Sequence, residues 1–166
     1  MIVTDVDYEV YQWPRTVPIR NGLHTYQTSG LTVVKIRTDE GVTGIGLGRD
    51  IRDSPEVGIA ILNHFKQHVI GEDPFDTEKI WRKMWEPKLV GRRGITTRVI
   101  SGIDLALWDI KGKVANRSVH KLLGGYADKV PVYVAGGYYE EGKGLEELAI
   151  EVEDSLSMGA KAVKMK

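Results

Sequence analysis

Hydrophobic and polar residues alternate along several stretches in the first third of the chain. Residues 2–11 and 31–38 carry valine, isoleucine and tyrosine in the alternation typical of β-strands, and residues 42–48 form a third such stretch after a short turn. Pro14 is expected to end the first strand, because proline cannot donate a ladder hydrogen bond, and residues 15–30 to form a polar loop. The pattern predicts a three-stranded antiparallel meander.

The third stretch contains Gly44, Gly46 and Gly48, which invite comparison with a phosphate-binding loop. The spacing G-x-G-x-G differs from the dinucleotide pattern G-x-G-x-x-G, and the charged residues 49–53 follow where a helix should begin. We therefore expect no phosphate site there.

Farther along the chain, apolar residues recur every three to four positions, which is the period of a helix. Ser54 followed by proline predicts the start of a first helix and Gly71 its end. A second helix is expected over residues 76–85, and a third over residues 94–114, which are apolar on nearly all sides and should be buried. The inward face of the first helix is expected to carry Val57, Ala60, Ile61, Phe65 and Val69.

Two acidic residues, Asp104 and Asp109, lie inside the third predicted helix. Carboxylates on a buried helix need partners, so structural ion pairs are favoured over a role as catalytic acids. The candidate partners are Arg98, Lys111 and Lys113.

From residue 130 onward the pattern becomes strand, helix, strand. Residues 130–135 and 161–166 are the predicted strands, and the helix between them carries a single apolar stripe and ends at Gly159. Such a unit is parallel and right-handed. Because two parallel strands and one helix cannot cover both faces of their sheet, we expect this unit to begin a larger sheet.

The last strand carries the candidate chemistry. Side chains alternate along a strand, so Lys164 and Lys166 share one face while Val163 and Met165 share the other. Two neighbouring ammonium groups lower each other's pKa, and a lysine that is neutral near pH 7 can act as a general base toward a carbon acid. The same K-x-K pattern is also common on solvated strands, so the rest of the chain has to decide between the two interpretations.

Composition narrows the classes of protein. The length of 166 residues and an apolar content of 42% suggest one domain, or one and part of another, with a real core. The 23 basic and 23 acidic residues balance, which argues against a nucleic-acid partner. The absence of cysteine excludes disulfides, thiolate metal sites and a cysteine nucleophile. Without a signal-like or membrane-spanning stretch, we expect a cytoplasmic protein with no membrane partner.

Three motifs together resemble one family. Residues 100–113, with the sequence ISGIDLALWDIKGK, are similar to the signature helix of the mandelate racemase and muconate lactonizing enzyme family of the enolase superfamily. Leu-Leu-Gly-Gly at residues 122–125 resembles the family's link into its barrel, and residues 164–166 match its K-x-K motif. The resemblance implies an α+β capping domain, a three-stranded antiparallel meander followed by helices, over residues 1–125. Residues 126–166 would then form the first strand, helix and second strand of a β/α TIM-type barrel.

The resemblance also implies a mechanism. In this family Mg²⁺ holds a substrate carboxylate and stabilises an enediolate while a base removes the α-proton. Lys166 would be that base, and Lys164 the neighbouring cation that contacts the carboxylate. The family's acidic metal ligands lie on later barrel strands, so we expect no metal ligand in this chain.

Substrate choice in the family comes partly from capping-domain loops, here residues 15–30 and the stretch after Gly48. Asn21, His24 and Arg49 are the candidates for contact with a polar, anionic substrate, and their alternative is an ordinary place on a solvated loop.

These implications favour the amino-terminal part of an acid-sugar dehydratase or racemase that acts on a small carboxylate and forms a homo-oligomer. A cycloisomerase or dipeptide epimerase of the same family is the first alternative. A non-catalytic capping or oligomerisation module is the second.

Overall fold

A computed structural model describes residues 1–48, 54–86 and 94–165. The chain divides into two compact units. The first unit combines Met1–Gln12 with Gly30–Gly125, and the second combines Trp13–Ser29 with Tyr126–Lys166. The segment Trp13–Ser29, called the hairpin arm below, therefore belongs with the carboxyl-terminal part of the chain.

The first two strands run through both units, and the remaining elements of the first unit follow in sequence. The three-stranded sheet has the order β1-β2-β3, and β2 pairs antiparallel with β3 from Thr32 opposite Gly48 to Arg37 opposite Thr43. This confirms the predicted meander. The elements are β1 Val3–Arg20, β2 Thr25–Thr38, β3 Thr43–Gly48, α1 Pro55–Lys66, α2 Thr77–Trp85, α3 Ile95–Ala115 and α4 Val119–Leu122.

The predicted loop over residues 15–30 is wrong, because β1 continues through Pro14 to Arg20 and β2 begins at Thr25. Strand β1 lies at the edge of the sheet, where a residue without an N–H can point its nitrogen outward and lose no ladder hydrogen bond. Pro14 is exposed, as this position requires. The polar composition of the segment therefore reflects an exposed hairpin rather than a loop.

The three glycines of β3 allow it to pack closely against α3. A Cβ on Gly46 would overlap the carbonyl oxygen of Gly102, and one on Gly44 would overlap that of Ala106. The helix contributes a glycine as well: a Cβ on Gly102 of α3 would lie 2.8 Å from a methyl group of Val34 in β2. The glycines thus serve the contact between sheet and helix.

Helix α3 lies at the centre of the core of the first unit. It was predicted over residues 94–114 and is observed over Ile95–Ala115, with Val114 exposed rather than buried. The predicted inward face of α1 is correct only in part. Phe65 and Val69 are buried as predicted, but Leu62 is buried as well, while Val57 and Ala60 are exposed. The buried hydrophobic cluster consists of Val3, Val6, Val34, Ile36, Leu62, Phe65, Val69, Ile80, Met84, Val99, Ile100, Ile103, Ala106, Leu107 and Ile110.

Asp109 and Lys113 of α3 satisfy backbone groups of the edge strand β3. The carboxylate of Asp109 accepts a hydrogen bond from the Ile45 N–H at 2.8 Å, and Lys113 Nζ donates to the Thr43 carbonyl at 2.7 Å. The two side chains also form an ion pair at 2.7 Å, which confirms the structural role predicted for Asp109. Backbone groups on a sheet edge that are paired in this way are closed to other strands.

Asp104 does not form the predicted ion pair with any residue in the described ranges. Lys111 instead donates to Thr77 Oγ1 at 2.9 Å and lies 4.6 Å from the centroid of the Trp108 ring. Burial raises the pKa of Asp104, and the nearby charge of Glu78 acts in the same direction. The charge of Lys111 acts in the opposite direction but is the smallest of the three effects, so Asp104 is a half-buried acid with a raised pKa.

The second unit contains the hairpin arm, β4 Val134–Gly136, α5 Leu145–Ser157 and β5 Val163–Met165. Strands β4 and β5 are parallel, as predicted, although β4 is shorter than the expected residues 130–135. The apolar stripe of α5 is largely uncovered, with Leu145 84% and Leu156 51% exposed.

Candidate functional site

The two faces of the parallel pair β4–β5 differ in what covers them. The register places Ala135 opposite Lys164 and Gly136 opposite Met165. A Cβ on Gly136 would overlap the carboxylate of Glu151, so α5 covers the face to which Gly136 and its partner Met165 point. Because side chains alternate along a strand, Lys164 points to the face opposite α5.

Lys164 is exposed on that face, and its ammonium lies 5.8 Å from the centroid of the Tyr133 ring. A cation above an aromatic face is a weak and open contact at an exposed site, so the ammonium remains available to an anion. Lys166 and Arg49, two further predicted site residues, lie outside the described residues.

The tip of the hairpin arm is organised by Asn21. Its side-chain oxygen accepts hydrogen bonds from the N–H groups of Leu23 at 2.9 Å and His24 at 2.8 Å, and its amide donates to the Tyr26 hydroxyl at 3.1 Å. The Asn21 N–H also donates to the His24 carbonyl at 3.0 Å, which closes the turn. Asn21 thus fixes the turn, while the His24 side chain is exposed at its tip.

The hairpin arm is joined to the loop that follows β4. Arg20, just before the turn, exchanges two backbone hydrogen bonds with Tyr139, one of 3.0 Å and one of 3.1 Å. Tyr139 lies three residues beyond the carboxyl end of β4. The tip with Asn21 and His24 therefore lies at the same edge of the parallel pair where the K-x-K strand ends, although no hydrogen bond, ion pair or ring contact within the described ranges joins Lys164 to either residue.

The loop after β4 contains a cluster of charged side chains. Lys143 forms ion pairs with Glu151 and, at 3.3 Å, with Glu140. The hydrogen bond to Glu151 holds the pKa of Lys143 above its usual value, and the same bond, followed by one from the Gly137 N–H, holds the pKa of Glu151 below its usual value. Both side chains are thus charged across the neutral range.

These acids do not fit a magnesium site. Magnesium needs several oxygen ligands around one point, and no group of three or more His, Asp or Glu in the described part of the chain is arranged to share a metal ion. Glu140 and Glu151 are already held by the ammonium of Lys143. No metal ligand is therefore assigned among the residues that the structure describes.

Sequence reasoning did not find Arg20, Tyr139, Lys143 or Glu151. The backbone bridge joins residues far apart in the chain and carries no side-chain signature. The one available signal was the pair Gly136-Gly137 after the strand, since adjacent glycines often mark a close approach of backbone.

Comparison with known proteins identifies the family. Residues 4–124 match the family model described as "Mandelate racemase / muconate lactonizing enzyme, N-terminal domain". The chain belongs to the mandelate racemase and muconate lactonizing enzyme family of the enolase superfamily, and its first unit has the fold of the family's capping domain. This confirms the resemblance carried by residues 100–113.

The chain is similar to acid-sugar dehydratases and cycloisomerases. It is 41% identical over 137 residues to the arabinonate dehydratase of Saccharolobus solfataricus, covering 82% of this chain and 37% of that protein. It is 32% identical over 168 residues to the 3,6-anhydro-alpha-L-galactonate cycloisomerase of Streptomyces coelicolor, covering 99% of this chain and 46% of that protein. The chain thus spans less than half the length of these curated relatives.

The chain is also similar to solved structures of the same family. The L-talarate/galactarate dehydratase of Salmonella typhimurium LT2, crystallised with Mg and L-lyxarohydroxamate, superposes with a TM-score of 0.86 at 28% identity. The similarity covers 99% of this chain and 44% of the chain in that structure.

Within the described ranges of this chain, no helix is both long and apolar enough to cross a bilayer.

Proposed function

We propose that this chain is the amino-terminal part of an enzyme that removes the proton α to the carboxylate of a sugar acid, leading to dehydration or racemisation. Residues 1–125 would be the capping domain and residues 126–166 the start of the barrel. The observation that carries the proposal is the position of Lys164. It lies one residue before the carboxyl end of β5, on the face opposite the helix, and the carboxyl ends of the strands are where β/α barrels hold their active sites.

In this proposal Lys166 is the general base and Lys164 the cation beside it. The positive charge of Lys164 attracts the substrate carboxylate and disfavours a second charge on Lys166, which lowers the pKa of the base. A base works best when its pKa lies near the working pH. The sugar-acid relatives and the magnesium in the Salmonella dehydratase support this reaction class, and the metal would be held by residues beyond those present here.

The hairpin arm would contribute to substrate choice. We propose that His24 contacts the substrate and that Asn21 holds the turn that presents it, with Arg49 as a further contact. Replacing His24 by alanine should raise KM or shift the preferred sugar acid more than it changes stability, because an exposed side chain at a turn adds little to the core. We expect the same result for Arg49→Ala. Unchanged kinetics with every sugar acid tested would remove both residues from the site.

The test of the base is Lys166→Ala in the full-length protein that contains this chain. Exchange of the α-proton with solvent deuterium should fall by about three orders of magnitude while substrate affinity changes by no more than a few-fold. Lys161→Ala, which removes an exposed lysine just before β5, is the matched control. Exchange that persists with one substrate enantiomer would place the base on the opposite side of the substrate.

Residues 1–166 alone should have no turnover on any carboxylate. A carbanion next to a carboxylate needs a group that stabilises the developing charge, and the described residues offer no site for magnesium. Metal-dependent exchange of an α-proton by residues 1–166 alone would contradict this. If the full-length protein also lacked exchange, the non-catalytic alternative would replace the proposal.

The cycloisomerase is the second candidate, because the Streptomyces relative matches over 99% of the chain. A cycloisomerase also begins with α-proton removal, so Lys166→Ala does not separate the two. The product does, since a dehydratase releases water and yields a keto acid, and a racemase changes only the configuration at the α-carbon. A cycloisomerase instead yields an isomer in which a ring has opened or closed.

A further inference from the structure

The loop after β4 is fixed residue by residue. The N–H of Gly137 donates to Glu151 Oε1 at 3.0 Å, and the carbonyl of Tyr138 accepts from Lys143 Nζ at 3.1 Å. The next residue is Tyr139, whose N–H and carbonyl pair with the hairpin arm. Three consecutive residues thus have three different partners, two of them provided by the ion pair of Lys143 and Glu151.

The same loop contacts the strand that carries the lysines. Gly137 has a φ of +68°, and a Cβ there would lie 3.1 Å from the Cβ of Met165. Met165 is the residue between Lys164 and Lys166. Residues 136–139, called the connector below, therefore touch β5 at one end and the hairpin arm at the other.

The ion pair that holds the connector is protected from solvent on one side. The Lys143 side chain is only 13% exposed, whereas that of Glu151 is 34% exposed. Lys143 also donates to a backbone carbonyl, so its ammonium makes charged and neutral hydrogen bonds at once. Hydrogen bonds to charged groups are stronger than neutral ones, and they lose most when one partner is removed.

We propose that the connector couples the hairpin arm to the strand of Lys164, and that Lys143 and Glu151 are positioning residues for substrate specificity. The inference rests on the proposed function, in which the arm contacts the sugar acid and β5 carries the base. Without the ion pair, Gly137 and Tyr138 lose their anchors and the arm can shift relative to β5. A shifted arm weakens contacts to the substrate but leaves the base in place, so KM should change more than kcat.

The experiment uses Glu151→Ala in the full-length protein, with kinetics on a sugar acid and amide hydrogen exchange over Trp13–Ser29 as readouts. KM should rise on the order of tenfold, with kcat within about threefold of the parent. Exchange over the hairpin arm should become on the order of tenfold faster. Lys143→Met removes the other partner of the same ion pair, and it replaces Glu151→Ala in the experiment if that variant does not fold.

Two further variants separate positioning from simple stability. Glu153→Ala removes an exposed glutamate from the same helix and should change neither readout. Lys143→Arg keeps the positive charge and should stay within about threefold of the parent in KM. The inference is overturned if Glu151→Ala and Lys143→Met lower Tm but leave KM and the exchange of the arm unchanged. If the protein turns over no sugar acid, the proposed function fails, and the exchange readout alone decides whether the connector couples the two segments.

Discussion

In the first unit Ile103, Leu107 and Ile110 are completely buried, whereas in the second unit Leu145 is 84% and Met158 74% exposed. Both sets lie on or beside helices with an apolar side. The difference is that α3 packs against strand β3 and against helices α1, α2 and α4, while α5 covers only one face of a two-stranded pair. An apolar stripe therefore identifies the side of a helix that is meant to be covered, and the described chain covers that side only in the first unit.

The largest effect on the free energy of unfolding is expected from one member of a matched pair of leucine truncations in residues 1–166. Leu107→Ala should lower the free energy of unfolding by about 3–4 kcal/mol, because it opens a cavity in a closed core. Leu145→Ala should change it by less than about 0.5 kcal/mol, because that side chain is already in water. Urea denaturation measures both. Equal losses for the two variants would remove the contrast between the units.

A second test uses the glycines. Gly46→Ala places a Cβ against the Gly102 carbonyl and should cost about 3 kcal/mol, because backbone atoms cannot move aside as a side-chain end can. Gly22→Ala in the hairpin arm is the control, since nothing lies within 4 Å of the added atom. Thermal unfolding of both variants measures the difference. If Gly46→Ala melts with the parent protein, the close contact between β3 and α3 is wrong.

A smaller effect is expected at the edge of the first unit's sheet. Asp109→Ala leaves the Ile45 N–H and Lys113 without their shared partner and should cost about 1–2 kcal/mol. Asp154→Ala removes an exposed aspartate from α5 and should stay within about 0.5 kcal/mol of the parent. Denaturant midpoints compare the two, and an equal shift for both would mean that the edge is satisfied by water.

The smallest effect concerns Asp104, whose pKa is raised by burial from the ordinary value of 3.8. A raised carboxyl pKa means that the folded state binds more protons between the two pKa values, so the free energy of unfolding falls as pH rises through that interval. Asp104→Asn should therefore stabilise the protein at pH 7 by about 0.5 kcal/mol and bring no gain below pH 3.8. A pH series of denaturation curves checks this, and a variant less stable than the parent at pH 7 would contradict it.

Local patterns predicted the elements well where packing agreed with them. The period of residues 94–114 located α3 to within one residue at each end, and the alternation of residues 42–48 located β3. Pro14 was misread because its effect depends on lying at a sheet edge, which local sequence does not reveal. The inward face of α1 was predicted only in part because two apolar stripes compete on that helix, and only tertiary contacts select Leu62 over Val57.

The candidate site was predictable only in part. K-x-K on a strand indicated Lys164 and Lys166 through alternation and charge, both of which are local properties. The bridge between Arg20 and Tyr139 joins backbone atoms of residues that are far apart in the sequence, so no side-chain pattern predicts it. Lys143 and Glu151 look like ordinary surface charges in the sequence. Their ion pair forms only because the fold of the loop brings the two side chains together.

Amide hydrogen exchange on residues 1–166 alone, repeated on the full-length protein, tests most directly whether the second unit is the start of a larger barrel. In residues 1–166 alone we expect slow exchange in α3 and fast exchange or self-association over residues 130–165, whose apolar side chains and strand edge are uncovered. In the full-length protein both regions should exchange slowly. A compact monomer of residues 1–166 with slow exchange throughout residues 130–165 would contradict the account.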